Sequence, residues 1–358
     1  MRKNSKETVR MTIGLDLGDL VSFFHLVNEE TGEVRRGNIR TNPAALKKFF
    51  GPLAPARVVL EVGAHSPWVS RLLEHLGFEV IVAQAGRVRM IYQNHHKTDV
   101  TDAELLCRLG RVDPVLLAPI DHRPEQLQAD LAVLRSRDVL VAARTKLVNS
   151  IRGQVKAYGG RLPQCSADCL HLRASLIPEP LRAALYPLLL TIGEMTRQIR
   201  ALNKTLQKLA DERYPVVALF QQIPGVGLLT ALAFVLVLQD PLRFPKSRTV
   251  GAFLGLTPRK DQSGARDPQL GITHHGDSLL RRLLVQSGHY LLGPFGPDSE
   301  LRRQGLALVA RGGRAPKFRA VVAVARKLSV VMHRMWITGE EYRPLRPAGS
   351  GSEPGTAA

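Results

Sequence analysis

Short apolar runs alternate with polar turns over the first hundred residues, a pattern typical of strands and helices in alternation. Three short runs joined by tight polar turns come first and predict an antiparallel meander. Two further apolar runs, each preceded by a predicted helix, predict two more strands, which are buried. The order βββαβαβ followed by a helix predicts a mixed sheet with helices packed on it. The predicted strands are 11–18, 21–28, 33–40, 57–62 and 78–83, and the predicted helices are 43–50 and 67–76.

Two long amphipathic segments follow. From about residue 125 to 158, and again from about 180 to 214, apolar residues recur at three- and four-residue spacing, which predicts two long helices. Gly159-Gly160 and several prolines interrupt the pattern between them and predict a loop. The segments therefore predict an antiparallel helical pair or coiled coil, suited to a spacer or an oligomerisation arm.

These patterns predict an α/β plus α fold class in four parts. The first is a mixed-sheet α/β domain, the second a helical coiled-coil spacer, the third a mainly helical C-terminal domain, and the last a disordered tail rich in Gly, Ser and Pro. The predicted bounds are 11–120, 121–215, 216–345 and 346–358.

Charge is distributed unevenly along the chain. The net charge is +19 over 358 residues. Residues 243–334 hold 17 Lys and Arg against 5 Asp and Glu, whereas residues 11–117 hold 12 of each. Because Lys and Arg that neutralise phosphates release condensed counterions, this excess predicts a polyanionic partner for the C-terminal part, either DNA or RNA.

Several classes of protein are disfavoured. Apolar runs are shorter than the roughly 18 residues that a membrane helix needs, and the N-terminus has no signal-peptide pattern. The three cysteines are Cys107, Cys165 and Cys169, an odd and small number that argues against a disulfide framework. We therefore expect a cytoplasmic protein with no membrane partner.

Four carboxylates stand at element ends. Asp16 ends the first strand and Glu61 the fourth, while Asp99 and Asp102 lie three residues apart on one face of a predicted helix start. Carboxylates that converge repel one another unless a hard cation such as Mg²⁺ neutralises them. The alternative is structural: Thr98 or Asp99 serves as the helix N-cap, and Thr101 with Glu104 as a capping box.

The C-terminal part opens with Ile-Pro-Gly-Val-Gly, the turn of a helix-hairpin-helix. Gly225 and Gly227 would let backbone amides approach a phosphate at the start of the next helix. A tight turn between packed helices explains the same residues without a ligand.

A serine in a polar loop is the candidate nucleophile. Ser263 precedes Gly264 in a cationic loop, and a serine hydroxyl attacks a phosphodiester only when a base takes its proton and cations hold the phosphate. Spacing alone leaves a turn-forming role open, with Ser247, Ser278 and Ser287 as rival nucleophiles. The predicted nucleic-acid contacts are Gly225, Gly227, Arg259, Lys260, Arg266, His274, His275, Arg281 and Arg282.

Several motifs resemble one family over about residues 11–344. IGLDLGD, LEVGAHS and HHKTDVTDAELL, then IPGVG, RFPKSRTVGAFLGLTPRKDQSG and GITHHGDSLLRRLL, resemble the DEDD insertion-sequence transposases of the IS-one-ten and IS-eleven-eleven group, relatives of the Piv invertase. The resemblance implies a ribonuclease-H-like, resolvase-like first domain. It places the metal-binding tetrad on Asp16, Glu61, Asp99 and Asp102, and a DNA-linked serine on Ser263. One departure is His274-His275 where many members have Lys or Arg before the glycine, which leaves the phosphate contact there undecided.

The resemblance therefore predicts a transposase that cuts and rejoins DNA through a phosphoserine intermediate, with Mg²⁺ as cofactor. It also implies a structured noncoding guide RNA, and we expect a dimer or tetramer because recombination holds two duplexes. One alternative is a metal-dependent Holliday-junction resolvase or nuclease that uses water and leaves Ser263 structural. A second is a non-catalytic DNA- or RNA-binding protein.

Overall fold

The chain forms two compact units, Met1–Pro124 and Glu125–Ala358. The computed structural model describes residues 11–84, 98–264 and 270–345. The predicted tail at 346–358 and the predicted contact Arg266 lie outside these residues. The predicted boundary near residue 120 lies close to the division between the units, whereas no such division falls at the predicted boundary of residue 215.

The first unit is built on a five-stranded sheet in the order β3-β2-β1-β4-β5. The first three strands pair antiparallel, and β4 and β5 run parallel to β1. The predicted mixed sheet is therefore confirmed. The strands are β1 (Met11–Asp16), β2 (Val21–Asn28), β3 (Val34–Arg40), β4 (Arg57–Glu61) and β5 (Glu79–Ala83).

Helices cover both faces of this sheet. The helices α1 (Pro43–Phe50) and α2 (Ser66–His75) share one apolar cluster with the alternate strand residues that include Leu15 and Leu60. The opposite face, which includes Val59, packs against α3 (Asp99–Val112). The strands β1, β4 and β5 are thus buried on both faces, whereas the edge strand β3 is mostly exposed.

The second unit begins with α4 (Glu125–Ala157) and α5 (Glu179–Arg213), the two long helices that the pattern predicts. They run antiparallel, because residue numbers rise along α4 as the numbers of their partners on α5 fall. The hydrogen-bonded pairs are Asp130 with Arg213, Arg137 with Asn203, and Arg144 with Thr196. A 3₁₀ segment, Ala167–Leu176, lies in the predicted loop between them.

The helical pair contributes to two cores. At its tip, Ile151 and Ile192 belong to a cluster of their own, together with the 3₁₀ segment. At its base, Leu134 and Leu206 belong to the same cluster as the C-terminal helices. The core therefore continues across residue 215.

The C-terminal helices surround α7, which is apolar on all sides and buried from Thr230 through Leu238. A helix of this composition has to be enclosed by others. The helices after α5 are α6 (Val216–Gln221), α7 (Leu228–Leu238), α8 (Val250–Phe253), α9 (Ser278–Leu292), α10 (Glu300–Ala310) and α11 (Pro316–Thr338). Within the described ranges, no helix is both long and apolar enough to cross a membrane.

The packing of α3 on β1 gives a first prediction. A Cβ atom added to Gly14 would lie 2.0 Å from the Ala103 carbonyl oxygen, so Gly14→Ala must displace α3. We expect it to lower the free energy of unfolding by about 1–3 kcal/mol, as overpacking does. Urea titration of the full chain measures this change. Gly63→Ala is the matched control, because its Cβ meets no atom within 4 Å; equal stability of the two variants would contradict the prediction.

Candidate active site

Asp16 and Glu61 lie next to each other at one edge of the sheet. Leu15 pairs with Leu60 in the parallel ladder between β1 and β4, so the next residue of each strand is an acid at the same level. Neighbouring strands lie about 4.8 Å apart. Both side chains are half-buried, and both follow the carboxyl ends of parallel strands, where open α/β sheets bind ligands.

The helix α3 brings its two aspartates toward the same edge. The backbone of Ala103 and Cys107 lies over Gly14, two residues before the acid that ends β1. Toward the other end of the helix, the Gly110 carbonyl accepts a hydrogen bond at 2.9 Å from the side chain of Arg57, the residue that begins β4. The first turn of α3, with Asp99 and Asp102, therefore lies toward the edge of the sheet where Asp16 and Glu61 stand. Because side chains alternate between the two faces along a strand, Asp16 lies on the same face of the sheet as Gly14, which is the face that α3 covers.

Threonines cap α3, and not the aspartates. The Thr98 hydroxyl accepts a hydrogen bond from the Thr101 backbone N–H at 3.3 Å, and the Thr101 hydroxyl accepts one from the Thr98 N–H at 3.1 Å. The expected capping box of Thr101 with Glu104 is wrong, because the helix begins three residues earlier than that pattern requires, with Thr98 as its N-cap. Neither Asp99 nor Asp102 is needed as the N-cap, which weakens the structural explanation of these acids.

The four acids share an edge without forming a closed coordination set. Among the residues that the structure describes, no group of three or more His, Cys, Asp or Glu is placed to hold a metal ion. Cys107 lies on the side of α3 that faces the sheet, where burial raises the pKa of its thiol to about 11. A thiol with that pKa is protonated at neutral pH and is a poor nucleophile.

Sequence reasoning missed three side chains at this edge. The Trp68 indole N–H donates to Nδ1 of His65 at 3.0 Å, so the neutral imidazole carries its proton on Nε2. That nitrogen lies 3.2 Å from the Asp19 carboxylate. The contact fastens the loop after β1 to the loop after β4. The available signal was the His-Ser-Pro-Trp run four residues after Glu61.

The Ile-Pro-Gly-Val-Gly turn connects α6 to the buried α7. Gly225 has φ of 84° and packs against the Tyr290 ring, 2.7 Å from where its Cβ would stand. Conformation and packing therefore explain this glycine without a ligand. Gly227 is exposed immediately before α7, and a Cβ there would meet no atom within 4 Å. Of the two predicted contacts, Gly227 is the one whose backbone is accessible to a phosphate.

Ser263 lies in an exposed connection between two paired segments. Pro258 bridges to Ile272, and the Arg259 N–H donates to the Gly271 carbonyl at 2.9 Å. Arg259, Lys260 and Ser263 are all exposed within this β-ribbon. The candidate nucleophile and two of the predicted cations are therefore exposed to solvent on the same connection.

The rival serines have different surroundings. Ser287 is buried and its hydroxyl donates to the Leu283 carbonyl. Ser247 lies 3.0 Å from Nδ1 of the buried His333, whose Nε2 donates to the Pro241 carbonyl at 2.9 Å. The imidazole therefore accepts from Ser247. Among the described candidate serines, Ser247 has an imidazole partner, but that histidine lies wholly in the core and its bonds hold two loops in place.

The predicted histidine and arginine contacts sit where two turns interlock. A Cβ on Gly255 (φ 67°) would lie 2.3 Å from the His275 carbonyl oxygen. The Arg281 guanidinium donates to that oxygen at 2.7 Å and to the Leu254 carbonyl at 3.0 Å. His274 and His275 are exposed on the same turn. Arg281 thus stabilises the turn that presents the histidines.

Arg282, the neighbouring predicted contact, points elsewhere. Its guanidinium forms an ion pair with Asp138 of α4 and is about half exposed. Whether either arginine also contacts nucleic acid stays a prediction.

Two family models match the chain. A DEDD transposase model of the IS110 type matches residues 13–159, and the model described as "Transposase IS116/IS110/IS902 family" matches residues 217–294. The first covers all four candidate carboxylates and the second covers Ser263.

Whole relatives are similar as well. The transposase for insertion sequence element IS1328 of Yersinia enterocolitica is 32% identical over 76% of this chain and 81% of that protein. The transposase for insertion sequence element IS1111A of Coxiella burnetii is 31% identical over 70% of each chain.

The interlocked turns give a second prediction. Arg281→Met removes the donor of two backbone carbonyls, so we expect the free energy of unfolding to fall by about 1–2 kcal/mol. Arg282→Met, the matched control, removes an exposed ion pair and should cost less than about 1 kcal/mol. Urea titration of both variants distinguishes them. A larger loss for Arg282→Met would show that the turn does not depend on Arg281.

Proposed function

The chain belongs to the IS116/IS110/IS902 family of transposases and is a DNA transposase, and we propose that it mobilises an insertion sequence through a covalent phosphoserine on Ser263. The observation that carries the proposal is the exposed position of Ser263 on the same connection as the exposed Arg259 and Lys260. An accessible hydroxyl among cations is what attack on a DNA phosphate requires.

Ser263 acts on the DNA backbone directly. Its oxygen attacks a phosphorus atom as the hydroxyl gives up its proton, a phosphorus–oxygen bond to one deoxyribose breaks, and the departing sugar oxygen takes up a proton to become a hydroxyl. A new sugar hydroxyl attacks the phosphoserine in the reverse step and regenerates the serine. The phosphoserine stores the phosphodiester energy, so rejoining needs no nucleotide cofactor. The nearby cations stabilise the negative charge of the phosphate as it is attacked.

The first unit supplies the acids. Asp16 and Glu61, with Asp99 and Asp102, would hold Mg²⁺ in a ribonuclease-H-like domain, and their all-oxygen donor chemistry fits that ion. Bound there, Mg²⁺ would neutralise the acids and polarise a phosphate oxygen. The direction of α3 toward the ends of β1 and β4 supports this assignment. The bonds of His65 to Asp19 and Trp68 would hold the two loops beside the acids.

Further partners complete the proposal. Gly227, Arg259 and Lys260 contact DNA phosphates, as do His274 and His275 beside them. A structured noncoding RNA guides the choice of donor and target DNA, and the protein acts as a dimer or tetramer because two duplexes must be held together. The basic charge of the C-terminal part supports a nucleic-acid surface there.

The acids give a third prediction. Asp16→Asn, Glu61→Gln, Asp99→Asn and Asp102→Asn should each lower recombination of the element's own ends at least about a hundredfold, because each removes a ligand charge without opening a cavity. Stability should stay within about 1 kcal/mol of the wild type. Glu74→Gln, an exposed acid on α2, is the matched control. Full activity in EDTA would argue against the metal.

The serine gives a fourth prediction. Wild-type protein incubated with labelled element-end DNA and the element's RNA should yield a protein-linked band on denaturing electrophoresis, and Ser263→Ala should abolish that band while binding DNA normally. Ser278→Ala, an exposed serine at the start of α9, should leave it unchanged.

Other outcomes identify the rivals. Loss of the band in Ser247→Ala but not in Ser263→Ala would move the nucleophile to the serine beside His333. Free nicked DNA made equally by wild type and Ser263→Ala would indicate a resolvase or nuclease that uses water. Tight binding without any cleavage would indicate a binding protein.

A further inference from the structure

A groove of about 1710 Å³ lies in the second unit, between α10, α11 and the segment at residues 340–345. It includes few of the residues considered so far. Its basic lining residues are Arg248, Arg311, Arg314, Arg319, Arg326, Lys327, Arg334 and Arg343, and its acidic ones are Glu300, Glu340 and Glu341. The groove is therefore strongly cationic, and its charge complements a polyanion.

Two arginines of α11 are available to a ligand. Arg326 and Arg334 are exposed, and within the described part of the chain neither forms an ion pair with a carboxylate. The neighbouring helix α10 shows the contrast. There Arg302 donates to the carbonyls of Leu291 and Gly293, and Arg303 pairs with Asp298 at 2.6 Å. The arginines of α10 are thus used inside the fold, whereas those of α11 face the groove.

Apolar surface lies among these charges. Phe318, in the first turn of α11, lines the groove with 69% of its surface exposed. Behind it, Leu308, Val322 and Val330 line the groove as half-buried side chains. Exposing a phenylalanine to water costs free energy, so a ring in a basic groove indicates a ligand with flat apolar faces and negative charge.

We propose that this groove binds an unpaired strand of DNA, with a base stacked on Phe318 and the backbone phosphates on Arg326 and Arg334. In a duplex the base faces are already stacked, and proteins reach only the phosphates and the base edges. Aromatic rings inside a cationic groove are the usual means of binding single strands. Strand cutting and exchange produce unpaired DNA, so the choice of DNA rests on the proposed function.

The affinity of the full chain for single-stranded DNA tests the proposal. The probe is a fluorescein-labelled oligothymidylate of about 20 nucleotides, measured by anisotropy beside a duplex of the same length. Phe318→Ala should weaken oligothymidylate binding about tenfold and duplex binding less than about twofold. Phe318→Trp should restore binding. Phe295→Ala is the matched control, since Phe295 is 83% exposed and does not line the groove.

The salt dependence separates the charges from the ring. Arg326→Gln should reduce the slope of log affinity against log salt by about 0.7, the value for one phosphate contact to a single strand. Phe318→Ala should leave that slope unchanged. Arg200 is an exposed arginine on α5, and Arg200→Gln is the matched control, which should leave that slope unchanged.

Three results would overturn the proposal. The first is unchanged oligothymidylate affinity in both Phe318→Ala and Arg326→Gln. The second is an equal loss of duplex and single-strand affinity in Phe318→Ala. The third is a preference of tenfold or more for oligouridylate over oligothymidylate, which would assign the groove to RNA. These binding results are independent of the covalent band on Ser263, so either proposal can fail while the other stands.

Discussion

The arrangement of the first unit depends on a close contact between the backbone of β1 and that of α3. A side chain at Gly14 would overlap the Ala103 carbonyl, and one at Gly110 would overlap Val59. The absence of both lets the helix lie directly on the sheet, with its first turn toward the carboxyl ends of β1 and β4. Because packed interiors leave little room for a helix to shift, this contact determines where Asp99 and Asp102 can act.

The second unit combines a rigid scaffold with an accessible ribbon. The buried α7 and the turns interlocked at Gly255 restrict the backbone around the candidate site. Ser263 lies outside this scaffold on an exposed connection, where it can reach a large substrate. Function on exposed segments supported by a rigid framework is a general arrangement in proteins, and it suits an enzyme whose substrate is a DNA duplex.

The net charge of the chain indicates a polyanionic partner, but it does not show which arginines form the surface that binds it. Arg281 and Arg302 are counted in the same positive excess as Arg326 and Arg334, yet the first two donate to backbone carbonyls within the fold. A guanidinium with several donors can serve either purpose. The positions of neighbouring carbonyls and carboxylates decide which arginines are held within the fold, and Arg326 and Arg334 on α11 accompany an exposed aromatic ring.

The amino-acid sequence alone determined the order of strands and helices in the first unit, the two long helices and the basic character of the C-terminal part. These features follow from local periodicity and composition, which are readable along the chain. The motifs likewise identified the transposase family. Tertiary structure decided what depends on distant neighbours: that α3 lies on Gly14 with its first turn toward Asp16, and that His65 joins two loops. It also decided that the core continues past residue 215. Such contacts join residues far apart in sequence, and local sequence patterns do not predict which of these residues lie close together.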